Sequence, residues 1–310
     1  MLARTADNVF WLGRYMERID FLARLMTAAQ QMASVSGEAE EWRSTLITAG
    51  CEETFPESGA EFSADNAARH LACDRDNPSS LLNCIDRARQ NARAVRTALS
   101  QDVWEAVNQV WLDSQRLTDA SFAPQRLPET LDTMKAAAMR FHGAMSTTLL
   151  HNPSRRFMQL GACLERADNT ARILDVKYNL LLPAYSGVGG ALDYYQWMSI
   201  LQAVSATRSY HWVYRGQVTP LKVAELLLLR PELPRSLRSC FDDVVECLDV
   251  IADNHGGARG EPHRIAGMMA SKLRFGRIDD IFAFGLHEYL TDVVDRCVDL
   301  GFEISDLYMR

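Results

Sequence analysis

With 310 residues, 47% of them hydrophobic, the chain can bury a large core and is long enough for two domains or for one domain built twice. A net charge of −7 argues against a general nucleic-acid or anionic-membrane surface, since either needs a basic field. Lys135, Lys177, Lys222 and Lys272 are the only lysines, so nearly all positive charge is arginine, the side chain suited to bidentate carboxylate or phosphate contacts.

The seven cysteines are odd in number and include no C-x-x-C pair, which reads as reduced core residues of a cytoplasmic protein. The first residues enter an amphipathic pattern with no apolar signal core. The apolar run around Ala224 to Leu229 is interrupted by Glu225 and is too short to span a bilayer.

In chain order, Thr5 and Asp7 are N-cap candidates for a long helix running to about residue 33. Residues 41–49 form a second helix stopped by Gly50, and Cys51 to Gly59 is rich in turn residues. Ser63 begins a short helix, and Asn77-Pro78-Ser79-Ser80 starts another at a proline. Ser100 caps the next, 129–150 follows, and Asn152-Pro153-Ser154 repeats the proline start for a helix over 154–182. A loop is expected at 183–190, and no period-2 strand pattern of useful length occurs. The fold class expected is all-α.

The chain then begins again. Leu12-Gly13-Arg14-Tyr15-Met16-Glu17-Arg18-Ile19-Asp20-Phe21-Leu22-Ala23-Arg24 returns as Leu160-Gly161-Ala162-Cys163-Leu164-Glu165-Arg166-Ala167-Asp168-Asn169-Thr170-Ala171-Arg172, 148 positions on, both in the frame L-G-x-x-x-E-R-x-D-x-x-A-R. Pro78-x-Ser80-Leu81-x-x-Cys84-x-Asp86 returns as Pro234-x-Ser236-Leu237-x-x-Cys240-x-Asp242, 156 positions on. These spacings predict one helical bundle over 1–310 made of two pseudo-symmetric, tandem-duplicated halves, about 1–151 and 152–310, packed as one body with the two signature helices in contact. Arg89, Arg93 and Arg96 form a basic stripe that the second half lacks.

At about 100° per residue, Gly13, Glu17, Asp20 and Arg24 share one helix face, as do Gly161, Glu165, Asp168 and Arg172. Two carboxylates three residues apart repel unless something sits between them. A four-carboxylate di-metal site would follow the bundle pattern of Glu-x-x-His pairs, but no glutamate here has a histidine three residues later, and Arg24 and Arg172 fill the next turn. No metal and no cofactor is therefore expected.

Two readings stay open. In the structural one, Asp20–Arg24 and Asp168–Arg172 pair along their helices while Glu17 and Glu165 meet arginines of neighbouring helices, Arg89 or Arg93 among them. In the ligand reading, Arg18, Arg166, Arg89 and Arg93 bind a phosphate or carboxylate, with a glutamate as base or orienter. The histidines read as packed residues, with His287 as a helix cap, and the aromatic group from Tyr194 to Tyr214 reads as core, with a partner groove as the alternative.

The Glu17-Arg18 and Glu165-Arg166 segments, with Ala88-Arg89-Gln90-Asn91-Ala92-Arg93, Tyr214-Arg215-Gly216, Pro234-Arg235-Ser236-Leu237 and Gly285-Leu286-His287-Glu288, resemble the alpha-E family, bacterial all-helical proteins named for an E-R motif. The resemblance covers essentially the whole chain. It implies protein partners of the ATP-grasp ligase or transglutaminase-like kind, and hence a helical accessory or interaction component of a peptide- or amide-bond forming or modifying system. The alternative is an enzyme acting on a peptide or amino-acid substrate through a Glu/Arg cleft between the signature helices.

Overall fold

The computed structural model describes residues 1–55, 62–181, 191–257 and 259–310. Among the described residues the regular structure is entirely helical. In chain order it comprises α1 (Ala3–Ser36), α2 (Glu38–Thr48), α3 (Ala64–Ala72), α4 (Leu81–Ala94), α5 (Gln101–Ser114), α6 (Leu127–Thr148) and α7 (Pro153–Leu181). Then come α8 (Ala191–Ala203), α9 (Thr207–Tyr214), α10 (Pro220–Leu229), α11 (Leu237–Asp253), α12 (Glu261–Phe275), α13 (Ile278–Phe284) and α14 (Leu286–Tyr308). No described helix is long and apolar enough to cross a membrane.

Local chemistry sets four of the helix starts. Ser63, Ser80, Ser100 and Ser236 each turn a side-chain oxygen onto a backbone N–H three residues on, satisfying a donor the first turn would otherwise leave open. The repeated P-x-S-L-x-x-C segment thus supplies an N-cap serine in both places, and its cysteine thiol bonds back to the preceding turn, Cys84 to the Ser79 carbonyl and Cys240 to that of Pro234. Two expected starts differ. α1 begins at Ala3, with the Leu2 carbonyl accepting the Thr5 and Ala6 N–H groups, so Thr5 and Asp7 lie inside the helix. Pro78 lies two residues before the Ser80 cap of α4 and not in its first turn. The loop expected at 183–190 and part of the turn-rich stretch after Cys51 lie outside the described residues.

The two signature helices are the longest and sit at the centre. α1, about 50 Å long at 1.5 Å per residue, packs on α7, α4, α6, α2 and α8, while α7 packs on α1, α11, α14, α2 and α8. α5 closes the group of α4 and α6, and α12 that of α11 and α14. The apolar arcs Leu12, Met16, Ile19, Ala23 and Met26 of α1, and Leu160, Leu164, Ala167, Ala171 and Leu174 of α7, are wholly buried. All seven cysteines are free, and all but Cys73 are buried.

α1 and α7 meet backbone to backbone at Gly13 and Gly161. A Cβ on Gly13 would stand 2.0 Å from the Met158 carbonyl oxygen, and one on Gly161 would stand 2.1 Å from that of Phe10. Only hydrogen fits at either place, so the two glycines hold the polar stripes of the helices at fixed height against one another.

Candidate functional site

The glycine crossing sets the registers of Glu17 and Glu165, four residues further along each helix, so that each carboxylate faces the arginine following its counterpart. Arg166 forks onto Glu17, Nε to Oε1 at 3.1 Å and Nη2 to Oε2 at 2.6 Å. Arg18 forks onto Glu165, Nε to Oε1 at 2.5 Å and Nη2 to Oε2 at 3.1 Å. The exchange is reciprocal, and each half of it has the bidentate geometry that makes arginine–carboxylate pairs strong.

Each glutamate also takes a second arginine, and these come from different places. Glu165 accepts a bond from Arg14 Nε at 2.8 Å, one turn back on α1. Glu17 accepts one from Arg235 Nη1 at 2.7 Å, a residue in the turn before α11. Arg235 also reaches Asp20 with Nη2 at 2.5 Å, and Asp20 holds Arg24 Nε at 2.8 Å, so five charged groups run in a line from Arg166 to Arg24 through Glu17, Arg235 and Asp20. On α7 the Arg172–Asp168 pair forms at 2.8 Å without such an extension among the described residues. Oδ1 of Asp20 and Oδ1 of Asp168 are buried with no hydrogen bond. His142 of α6 places Nε2 3.3 Å from Glu17 Oε2, ion-pair distance without an aligned hydrogen bond.

Glu17 is 0% exposed and Glu165 1%. Burial pushes both carboxyls up. For Glu17, Arg166 and Arg235 with His142 outweigh burial and hold the group well below the usual carboxylate range. For Glu165, Arg18 and Arg14 do the same and hold it at about 2. Burial disfavours the charged forms of Arg18 and Arg166, but the glutamates facing them raise both above the ordinary arginine value. All four groups are therefore charged at any physiological pH.

The expected i, i+4 pairs, Asp20–Arg24 and Asp168–Arg172, are both present. The expected arginine partners of the glutamates are different. Arg89 lies 3.7 Å from the centre of the Trp111 ring and bonds Asn108, both on α5, while Arg93 is exposed on α4. Trp111 gives a guanidinium an aromatic face on the far side of α4, so this stripe turns away from α1 and does not join the network. His142, which the sequence presents as a packed residue, faces Glu17, and Arg14, with Ala162 at its place in the second frame, carries no repeat to point to it. The aromatic group divides: Trp197 and Tyr210 are buried, whereas Tyr194, Tyr195 and Trp212 are exposed. His287 pairs with Asp175 of α7 at 2.6 Å.

The family model described as a predicted alpha-helical domain with a conserved ER motif, Alpha-E, matches residues 1–309. The chain belongs to the Alpha-E family. Two Glu-Arg steps occur in this Alpha-E chain, Glu17-Arg18 and Glu165-Arg166, and they are the two that cross-pair between α1 and α7. An uncharacterised protein of Mycobacterium bovis and two of Mycobacterium tuberculosis strains are each 23% identical to it. Each match covers 94% of this chain and 35% of the relative, so the chain spans about a third of the length of the curated relatives it matches. No solved structure matches it.

Proposed function

We propose that this Alpha-E protein is a helical accessory or interaction component of a bacterial peptide- or amide-bond forming or modifying system, in which the Glu-Arg pairs set the register of the bundle. The single observation that carries this reading is the closure of the network: both glutamates are shut away from water and occupied by two arginines each. A carboxylate held that far below neutral pH by two guanidinium groups is a poor proton acceptor, which weighs against the rival reading of a Glu/Arg catalytic cleft. Buried pairs of this kind contribute specificity of packing more than stability, because desolvation offsets much of their attraction. In the mycobacterial relatives the matching region accompanies about twice its own length of further chain, which suits a module that works beside another.

The same reading includes a tandem duplication, residues 1–151 and 152–310, supported by the recurring frames and by the reciprocal approaches of Gly13 to the Met158 carbonyl and Gly161 to that of Phe10, and of Glu17 to Arg166 and Glu165 to Arg18. Free, mostly buried cysteines are in keeping with a cytoplasmic setting. The test is co-expression of the tagged chain with the ATP-grasp or transglutaminase-like protein of its own genome. Stoichiometric co-elution supports the proposal. Turnover of a peptide or amino acid by the isolated chain, lost in a folded Glu17→Gln variant, overturns it.

A further inference from the structure

At the end of the charged line, beyond Arg24, lies a pocket of about 420 Å³ between α1, α6 and the α8–α9 corner. Arg24, Lys135 and Arg208 line it, with Thr27, Ser205 and Thr207 among the neutral residues between them, and no lining residue carries a carboxylate. In a chain of net charge −7, three cations around one cavity with no acid in its wall is a local inversion of the overall field.

Each cation is held differently. Arg24 is positioned from behind: Asp20 takes its Nε, and its Nη1 donates to the Ser205 hydroxyl. Lys135 reaches in from α6, 3.4 Å from Thr27 Oγ1 and 2.6 Å from Asp132, whose carboxylate lies outside the lining. Arg208 is exposed and has no ion pair among the described residues. The corner is shaped around the same space. Ser205 is left-handed at φ +56°, a conformation unfavourable for a residue with a Cβ, and α9 opens two residues later at Thr207 with Ala206 at its N-cap and no capping side chain. The first N–H groups of α9 are thereby left for an acceptor from outside the helix, at the end that carries its positive dipole. On its other side Arg208 lines a pocket of about 340 Å³ with Trp212, Val213, Leu226 and Leu233, so a ligand anchored at Arg208 finds apolar surface within reach.

We propose that this pocket is an oxyanion-binding site that takes a phosphate or carboxylate group of a small ligand. Its cations converge on one space, a helix start faces it uncapped, and the Asp20–Arg24 pair links it to the glutamate network. Phosphate and carboxylate share the recognition chemistry, so the probes must separate them.

Isothermal titration at low ionic strength, with pyrophosphate as one probe and citrate as the other, tests it on the full chain. At least one probe should bind with millimolar or tighter affinity, and the stronger of the two names the source. Arg208→Ala and Lys135→Met, both outside the buried network, should each weaken that binding about tenfold while leaving the helical circular dichroism unchanged. Absence of binding by both probes at millimolar concentration overturns the proposal, as does binding that both variants retain at full strength.

Discussion

Arg235 donates to Glu17 from the turn before α11 at the place where Arg14 donates to Glu165 from α1 itself. The reason lies in one position of the repeated frame. The residue after the glycine is Arg14 in the first copy and Ala162 in the second, so α7 has no arginine to offer Glu17 from that turn. Arg235 fills the space and reaches Asp20 as well, while Ser79, which stands at the matching place before α4, accepts a bond from Arg18 at 3.3 Å. Both glutamates end with two guanidinium partners, by different routes.

That asymmetry orders two substitutions. Glu165→Gln leaves Arg14 and Arg18 without any carboxylate in the network, whereas after Glu17→Gln Arg235 keeps Asp20. Breaking a buried pair of this kind costs about 3–5 kcal/mol, a large share of a domain's stability. Urea denaturation should show both variants destabilised, Glu165→Gln the more. Equal and negligible losses for the two would rule out a structural role for the pairs.

The glycine crossing is testable without touching charge. Gly13→Ala places a methyl 2.0 Å from a backbone oxygen that cannot rotate away, so α1 and α7 must separate, at about 1–3 kcal/mol or more. Gly161→Ala meets the Phe10 oxygen in the same manner. Gly143, exposed inside α6 with nothing within 4 Å of its would-be Cβ, is the control, and Gly143→Ala should stabilise by about 0.4–1 kcal/mol. A thermal melt of the three variants should therefore show shifts of opposite sign.

The depressed carboxyls make an acid prediction. Glu165 titrates near 2 in the folded chain against an ordinary value of 4.5, so between those values the unfolded chain binds the extra proton and stability rises with pH. Its contribution is complete above about pH 4.5 and is lost as pH falls through about 2, and Glu17 acts in the same direction. Melting temperature recorded from pH 6 down to 2 should fall across that window, and Glu165→Gln should flatten the fall. A wild-type curve level between pH 4.5 and 2.5 would contradict it.

Thiol accessibility offers a check on the core. Burial pushes the thiols of Cys84, Cys240 and Cys247 up to about 12, and it holds those of Cys163 and Cys297 well above the usual thiol range. Cys73, half-buried at the end of α3, is the most open of the seven. Burial raises the Cys73 thiol as well, so a thiol reagent at pH 8 should modify Cys73 slowly but first in the folded chain, and the other six only on denaturation. Fast reaction of several thiols under native conditions would mean a looser core than the one described.

The helical class, the serine caps, the two i, i+4 pairs and the central place of both signature helices were legible in the sequence, because each follows from periodicity or from contacts between residues a few positions apart. The L-G-x-x-x-E-R-x-D frame also displayed the glycines and glutamates that meet. What it could not display is who answers whom. Glu17 finds Arg166 149 residues away and Arg235 218 residues away, and only the packing of α7 and α11 on α1 brings them there. Arg89 and Arg93 looked equally suited by charge and spacing, yet α4 turns that stripe toward Trp111 of α5 and the surface. Helical spacing decides which side chains share a face of one helix, whereas the partner of a buried charge is decided by which other helix covers that face, and no local pattern carries that choice. The basic pocket is of the same kind, since Arg24, Lys135 and Arg208 lie on three helices and become a site only where α1, α6 and α9 converge.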